Sequence, residues 1–157
     1  MSTYDTLLFL HVTGAFLLIG GAVVAGVLNL AALQRERPSE IAVLLGLTRF
    51  AVVSIMVGLL FTLVFGLWLV HEAQYGYGDG WIVAAIILWF VGSALGGAGG
   101  KRDRRARELA ERLASENDAP HPELRALVRD PVALALSYGS GLVALAVLGV
   151  MIWKPGV

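Results

Sequence analysis

Leu7-Leu8-Phe9-Leu10-His11-Val12-Thr13-Gly14 opens an apolar run that continues without a charged residue to Leu33. It exceeds the ~20 helical residues that cross the roughly 30 Å hydrocarbon core of a bilayer. At about 100° per residue, Leu18, Ala22, Ala25 and Asn29 fall within about 40° of His11. The imidazole thus shares a stripe with two small residues and a second polar one, while Phe9, Phe16, Leu17, Val23, Val24 and Val27 mostly lie elsewhere. In hydrocarbon, small and polar faces meet other helices and large apolar faces meet lipid. His11 is therefore expected to point into a helix bundle, and it leads the candidate site residues.

Outward from this stretch, Thr6–Leu33, Phe50–Val70, Trp81–Ala98 and Val132–Trp153 are each long and apolar enough to span. Lipid offers the backbone no hydrogen-bond partner, so each must be helical. The fold expected is all-α: an integral membrane four-helix bundle forming a single transmembrane domain over residues 1–157. Composition agrees, with 57% hydrophobic and 15% charged residues, against about 25% charged in ordinary soluble domains. The first run does not read as a signal peptide, because Met1-Ser2-Thr3-Tyr4-Asp5 carries an acid and no base. The absence of cysteine excludes disulfides, iron–sulfur clusters and thiolate metal sites. Met1, Met56 and Met151 form no cluster suited to copper.

Orientation follows from the basic residues. Eleven of the twelve lysines and arginines lie in two places. Arg35, Arg37 and Arg49 flank the first connection, and the third runs from Lys101 to Arg129. The N-terminus and His71–Gly80 carry none, and the C-terminus only Lys154. Both termini and the second connection are expected outside, N-out and C-out, in a bacterial inner membrane.

Small residues recur at helix-packing intervals: Ser54, Gly58, Thr62 and Gly66 in the second span, Gly92, Gly96 and Gly100 in the third, and Ser137, Gly141 and Gly149 in the fourth. Such ladders let helix backbones approach closely. Gly96-Gly97-Ala98-Gly99-Gly100 is also a candidate bend or break. Ser39 is expected to cap the second helix. Arg49 reads as an interface anchor, the alternative being an inner polar cluster with Asn29.

Lys101–Ser115 has the pattern of a charged, solvated cytoplasmic extension of the third helix. Arg104–Glu108, Glu108–Arg112 and Arg112–Glu116 form i,i+4 pairs, and only Leu109 and Leu113 make an apolar stripe. Its basic start, Lys101, Arg102, Arg104 and Arg105, suits contact with anionic lipid. Nucleic-acid binding is not expected, since the bases are interleaved with acids and lack aromatics. His121, between Pro120 and Pro122, reads as a solvated loop residue. Asp130-Pro131 is a cap and first-position pair for the fourth span.

Phe9-Leu10-His11-Val12-Thr13-Gly14, Gly80-Trp81 and Arg125-Ala126-Leu127-Val128-Arg129-Asp130-Pro131 together resemble the bacterial integral-membrane family called domain of unknown function 2269. More distantly, they resemble HemJ-type protoporphyrinogen oxidases and the CopD-type membrane domain. The resemblance implies a four-helix membrane bundle holding haem b, with His11 as an iron ligand. HemJ-type enzymes carry a histidine and a lysine after the tryptophan. Here Ile82-Val83-Ala84-Ala85 follows Trp81, which argues against that oxidase activity. His71 is the candidate second ligand, though its helical phase aligns it with Val64 and Trp68 rather than with the small-residue face. Against a haem-binding role stand a non-catalytic packing or assembly subunit and, with less support, a small transporter.

Overall fold

A computed structural model describes residues 2–156. Met1, one of the three methionines weighed above, lies outside the described residues. Five helices follow in chain order: α1 Thr3–Leu33, α2 Pro38–Glu72, α3 Gly80–Glu116, α4 Pro122–Val128 and α5 Pro131–Trp153. No strand occurs among the described residues. Each expected span lies inside one long helix. The chain carries four helices long and apolar enough to cross a membrane, α1, α2, α3 and α5, the last including the lead-in from Pro122.

The helices pair in sequence order. α1 packs closely along α2, α3 packs along α5, and α2 against α3 joins the two hairpins. The contact that would close the ring, α1 with α5, is slight. The whole ladder on α2 is used in the first hairpin. Ser54 Oγ donates to the Leu17 carbonyl at 2.9 Å, and a Cβ on Gly58 would lie 2.5 Å from the Leu18 nitrogen. The opposing seam on α1 runs through Gly14 and Gly21, seven residues apart, both buried against α2.

The second hairpin corrects the ladder expected there. Its seam is Gly92, Gly96 and Gly99, facing Val143, Ser140 and Ser137 respectively, while Gly100 faces open space. Four residues advance a helix by about 400°, so a strict four-residue ladder drifts off its face, and Gly99 rather than Gly100 restores the phase. On α5, Ser137 holds its expected place, whereas a Cβ on Gly141 would meet nothing and one on Gly149 only Trp153 of its own helix. The glycine cluster does not break α3, which continues unbroken to Glu116. That removes the sign of a discontinuous, transporter-like helix.

Buried apolar residues gather at the two ends. One cluster sits at the His11 end: Val70, Trp81 and Ile82, with Tyr75, Val150 and Met151 packed against it. The larger cluster lies at the basic end. There Ala106, Leu109, Ala110 and Leu113 of the α3 extension meet Ile41 and Leu45 of α2, Ala32 of α1 and Leu124 of α4. The extension is therefore not simply solvated. Two alanines widen the leucine stripe enough to bury one face. Of the expected i,i+4 pairs only Arg104–Glu108 forms among the described residues, at 3.4 Å, and the largely buried Arg107 pairs with Glu111 instead, also at 3.4 Å.

Polar contacts fix the same end. Asn29 Nδ2 donates to Asp103 at 3.1 Å, and Arg102 pairs with Asp130. Asn29 thus meets α3 rather than Arg49, which is exposed as an anchor would be. Asp130 caps α5 as expected, its carboxylate accepting from the Val132 amide at 2.9 Å. Ser39 does not cap α2, because Pro38 already begins the helix. Its amide and hydroxyl instead donate to Asp118, at 2.7 and 2.8 Å. These two bonds hold the Asp118 carboxyl below its usual range.

Candidate functional site

α1 presents His11 to α2, in the same seam as Gly14. The imidazole is half-buried, with Nδ1 3.1 Å from the backbone carbonyl of Thr62. A carbonyl only accepts, so Nδ1 carries the proton in this contact and Nε2 is left with a free lone pair in the neutral ring. Nε2 makes no hydrogen bond among the described residues. Gly66 makes room for the ring: a Cβ there would lie 2.9 Å from Cε1 and 3.0 Å from Nδ1.

Thr62 links this contact to α3. Its hydroxyl lies 2.9 Å from the Gly58 carbonyl and 3.0 Å from that of Leu59, to which it donates within its own helix. It accepts from the Trp89 indole nitrogen at 3.3 Å. Three helices thus converge on one threonine: α1 at its carbonyl, α2 through its own backbone, α3 at its hydroxyl. The sequence ladder contained Thr62 and Gly66, but nothing in it marked their facing residue as His11, or Trp89 as a partner.

His71 does not join this group. It is exposed near the end of α2, five residues past Gly66 and so about 140° further round the helix. No cluster of three or more His, Asp or Glu side chains able to hold a metal occurs among the described residues. An isolated imidazole, oriented through Nδ1 and free at Nε2, is what His11 offers chemically.

The basic residues assigned to lipid contact divide. Lys101, Arg102 and Arg105 line a shallow groove over Gly97 and Ala98. Arg102 is already engaged with Asp130, and Arg104 with Glu108. Lys101 and Arg105 are exposed, without an ion pair among the described residues. His121 differs from expectation: it is half-buried, with Nδ1 enclosed and unpartnered. Folding α4 back against α3 and α1 encloses a residue that the flanking prolines alone would leave in solvent.

No curated protein and no solved structure matches the chain, so the more distant HemJ-type and CopD-type likeness gains no support from them. One family profile, described as "Predicted integral membrane protein (DUF2269)", matches residues 5–155. That match and the four apolar helices describe a multi-pass integral membrane protein in contact with lipid. The chain belongs to the DUF2269 family.

Proposed function

We propose that this protein sits in the bacterial inner membrane with its basic end in the cytoplasm, and that His11 serves as a single axial ligand to haem b. The observation carrying the reading is the Nδ1 contact with the Thr62 carbonyl. Metal-ligating histidines characteristically donate their second ring nitrogen to a carbonyl or carboxylate, which fixes the tautomer and makes the free nitrogen more basic. Haem, when bound, supplies one-electron redox chemistry. The chain's part is to hold the ring against Gly66, keep Nδ1 protonated and present Nε2 at the His11 end of the bundle. The residues fit one imidazole ligand and not a bis-histidine pair, given the position of His71.

A second reading makes the protein a non-catalytic packing or assembly subunit. The tight Gly66 slot favours it, because an interhelical hydrogen bond from His11 then has a structural role of its own. In either case Lys101 and Arg105 face the cytoplasmic leaflet, where each basic residue contributes about 1 kcal/mol of attraction to anionic lipid.

The optical spectrum of protein purified in mild detergent after haem supplementation separates the two readings. A Soret band that is lost in His11→Gly, restored by added imidazole and unchanged in His121→Ala supports ligation. A wild-type protein without the band, or a His11→Gly variant with the full band, refutes it. Impermeant labelling of single cysteines at Gln74 and Ser115 in intact cells checks orientation. Gln74→Cys is expected to react and Ser115→Cys to be protected, and the reverse pattern would invert the topology.

A further inference from the structure

A cavity of about 470 Å³ lies at the basic end, between the end of α1, the start of α2 and the whole of α4. Its floor is apolar, with Leu33, Ile41 and Leu124, and its rim carries Arg35, Arg125 and Arg129 against the single acid Glu36. Among the described residues, only Arg125 of the three has a close carboxylate partner, Glu36. Arg35 lies 3.9 Å from Glu40, and Arg129 reaches only the Leu33 carbonyl, at 3.5 Å. His121 also lines the cavity, and its enclosed Nδ1 has no partner among the described residues. Enclosed polar nitrogens are normally satisfied, and this one, in a residue that lines the cavity together with three arginines, can donate to an anion there when it carries the proton.

We infer that this cavity binds a phosphate group, either the headgroup phosphate of an anionic phospholipid or free phosphate. Guanidinium forks match phosphate oxygens bidentately, and His121 adds one more donor if Nδ1 carries the proton. The cavity sits where the apolar spans begin: Leu33 closes α1, and Arg129 stands two residues before α5. That is headgroup depth, with an apolar floor beside it for the glycerol and upper acyl carbons. The position differs from the Lys101 groove on α3, and the inference depends neither on haem nor on which side of the membrane the basic end occupies.

Native mass spectrometry of the full chain in mild detergent, titrated with phosphatidylglycerol or phosphatidylcholine, tests it. Wild-type protein is expected to retain one phosphatidylglycerol more firmly than phosphatidylcholine. Arg129→Gln and His121→Ala, which break no ion pair, should each weaken that retention about tenfold, the size expected for one charge-assisted hydrogen bond. Lys101→Gln should leave this site unchanged. Displacement of the lipid by millimolar inorganic phosphate, which itself binds wild type and not Arg129→Gln, would assign the site to free phosphate. Resistance to phosphate would assign it to lipid. Circular dichroism and the melting midpoint verify that each variant folds. Equal retention of phosphatidylglycerol by wild type and both cavity variants, with no phosphate binding, overturns the inference.

Discussion

Gly58→Ala is the sharpest test of the α1–α2 seam. The added methyl would stand 2.5 Å from the Leu18 nitrogen, 2.6 Å from the Gly14 oxygen and 2.8 Å from the Leu18 Cα. All three are backbone atoms of α1, so no rotamer change relieves them. Moving the closest pair from 2.5 Å to the 3.4 Å where ordinary contact begins opens the seam by about 0.9 Å. A gap of that size forfeits roughly a quarter to a half of the attraction between neighbouring atom pairs. Overpacking of this kind costs about 1–3 kcal/mol, and the blocked rotamers place Gly58 at the upper end. Alanine returns up to about 1 kcal/mol of helix propensity, leaving a net loss of about 1–2 kcal/mol. Gly26→Ala is the matched control, since nothing lies within 4 Å of its added Cβ, and it should be neutral or stabilising. Unfolding in mixed micelles of a mild detergent and SDS, followed by circular dichroism, reads both. Unfolding of the two variants at the same SDS fraction would show that α1 and α2 do not meet backbone to backbone at Gly58.

On the second hairpin, Gly99→Ala meets Ser137 Oγ at 2.7 Å, a contact that rotation of the serine relieves in part, so it should be less stable than Gly100→Ala, which meets nothing, by up to about 1 kcal/mol. The same SDS titration decides this, and the opposite ranking would restore the four-residue ladder. Asp118 should make the basic end acid-sensitive. Its carboxyl is held low in the folded state by the Ser39 amide and hydroxyl, so its stabilising contribution is full above the unfolded carboxylate range and is lost as pH falls through the folded value. The melting midpoint of wild type should therefore exceed that of Asp118→Asn at neutral pH and converge with it in strong acid. A pH-independent difference would show that the contact is not ionic.

How far the sequence foretold this structure depends on the range of the forces involved. The α2 ladder is legible because Ser54, Gly58, Thr62 and Gly66 recur at one regular interval in an apolar run, and α1 crosses α2 so as to follow their drift, from Leu17 at Ser54 to His11 at Gly66. The seam of Gly14 and Gly21 is not legible in sequence because their spacing is seven, and two glycines among many give no periodic signal. The buried face of the α3 extension was hidden by composition: Ala106 and Ala110 stand among arginines and acids, and alanine marks neither surface nor core. Ser39 and Asp118 are far apart in sequence, and so are His11 and Thr62. No local pattern carries such pairings. His11 itself was legible as an ionisable residue in an apolar helix, but its orientation through a backbone carbonyl on α2 is a tertiary fact.

The close glycine contacts between helices all lie within hairpins, and none joins one hairpin to the other. Each pair, α1 with α2 and α3 with α5, is thus self-sufficient in its tightest packing, while α1 and α5 scarcely meet. Such a chain can enter the bilayer as two successive units, the first complete before the second has left the ribosome. Pulled from its termini, it should come apart in more than one force peak, with the halves parting along the α2–α3 contact and the basic-end cluster before either seam yields.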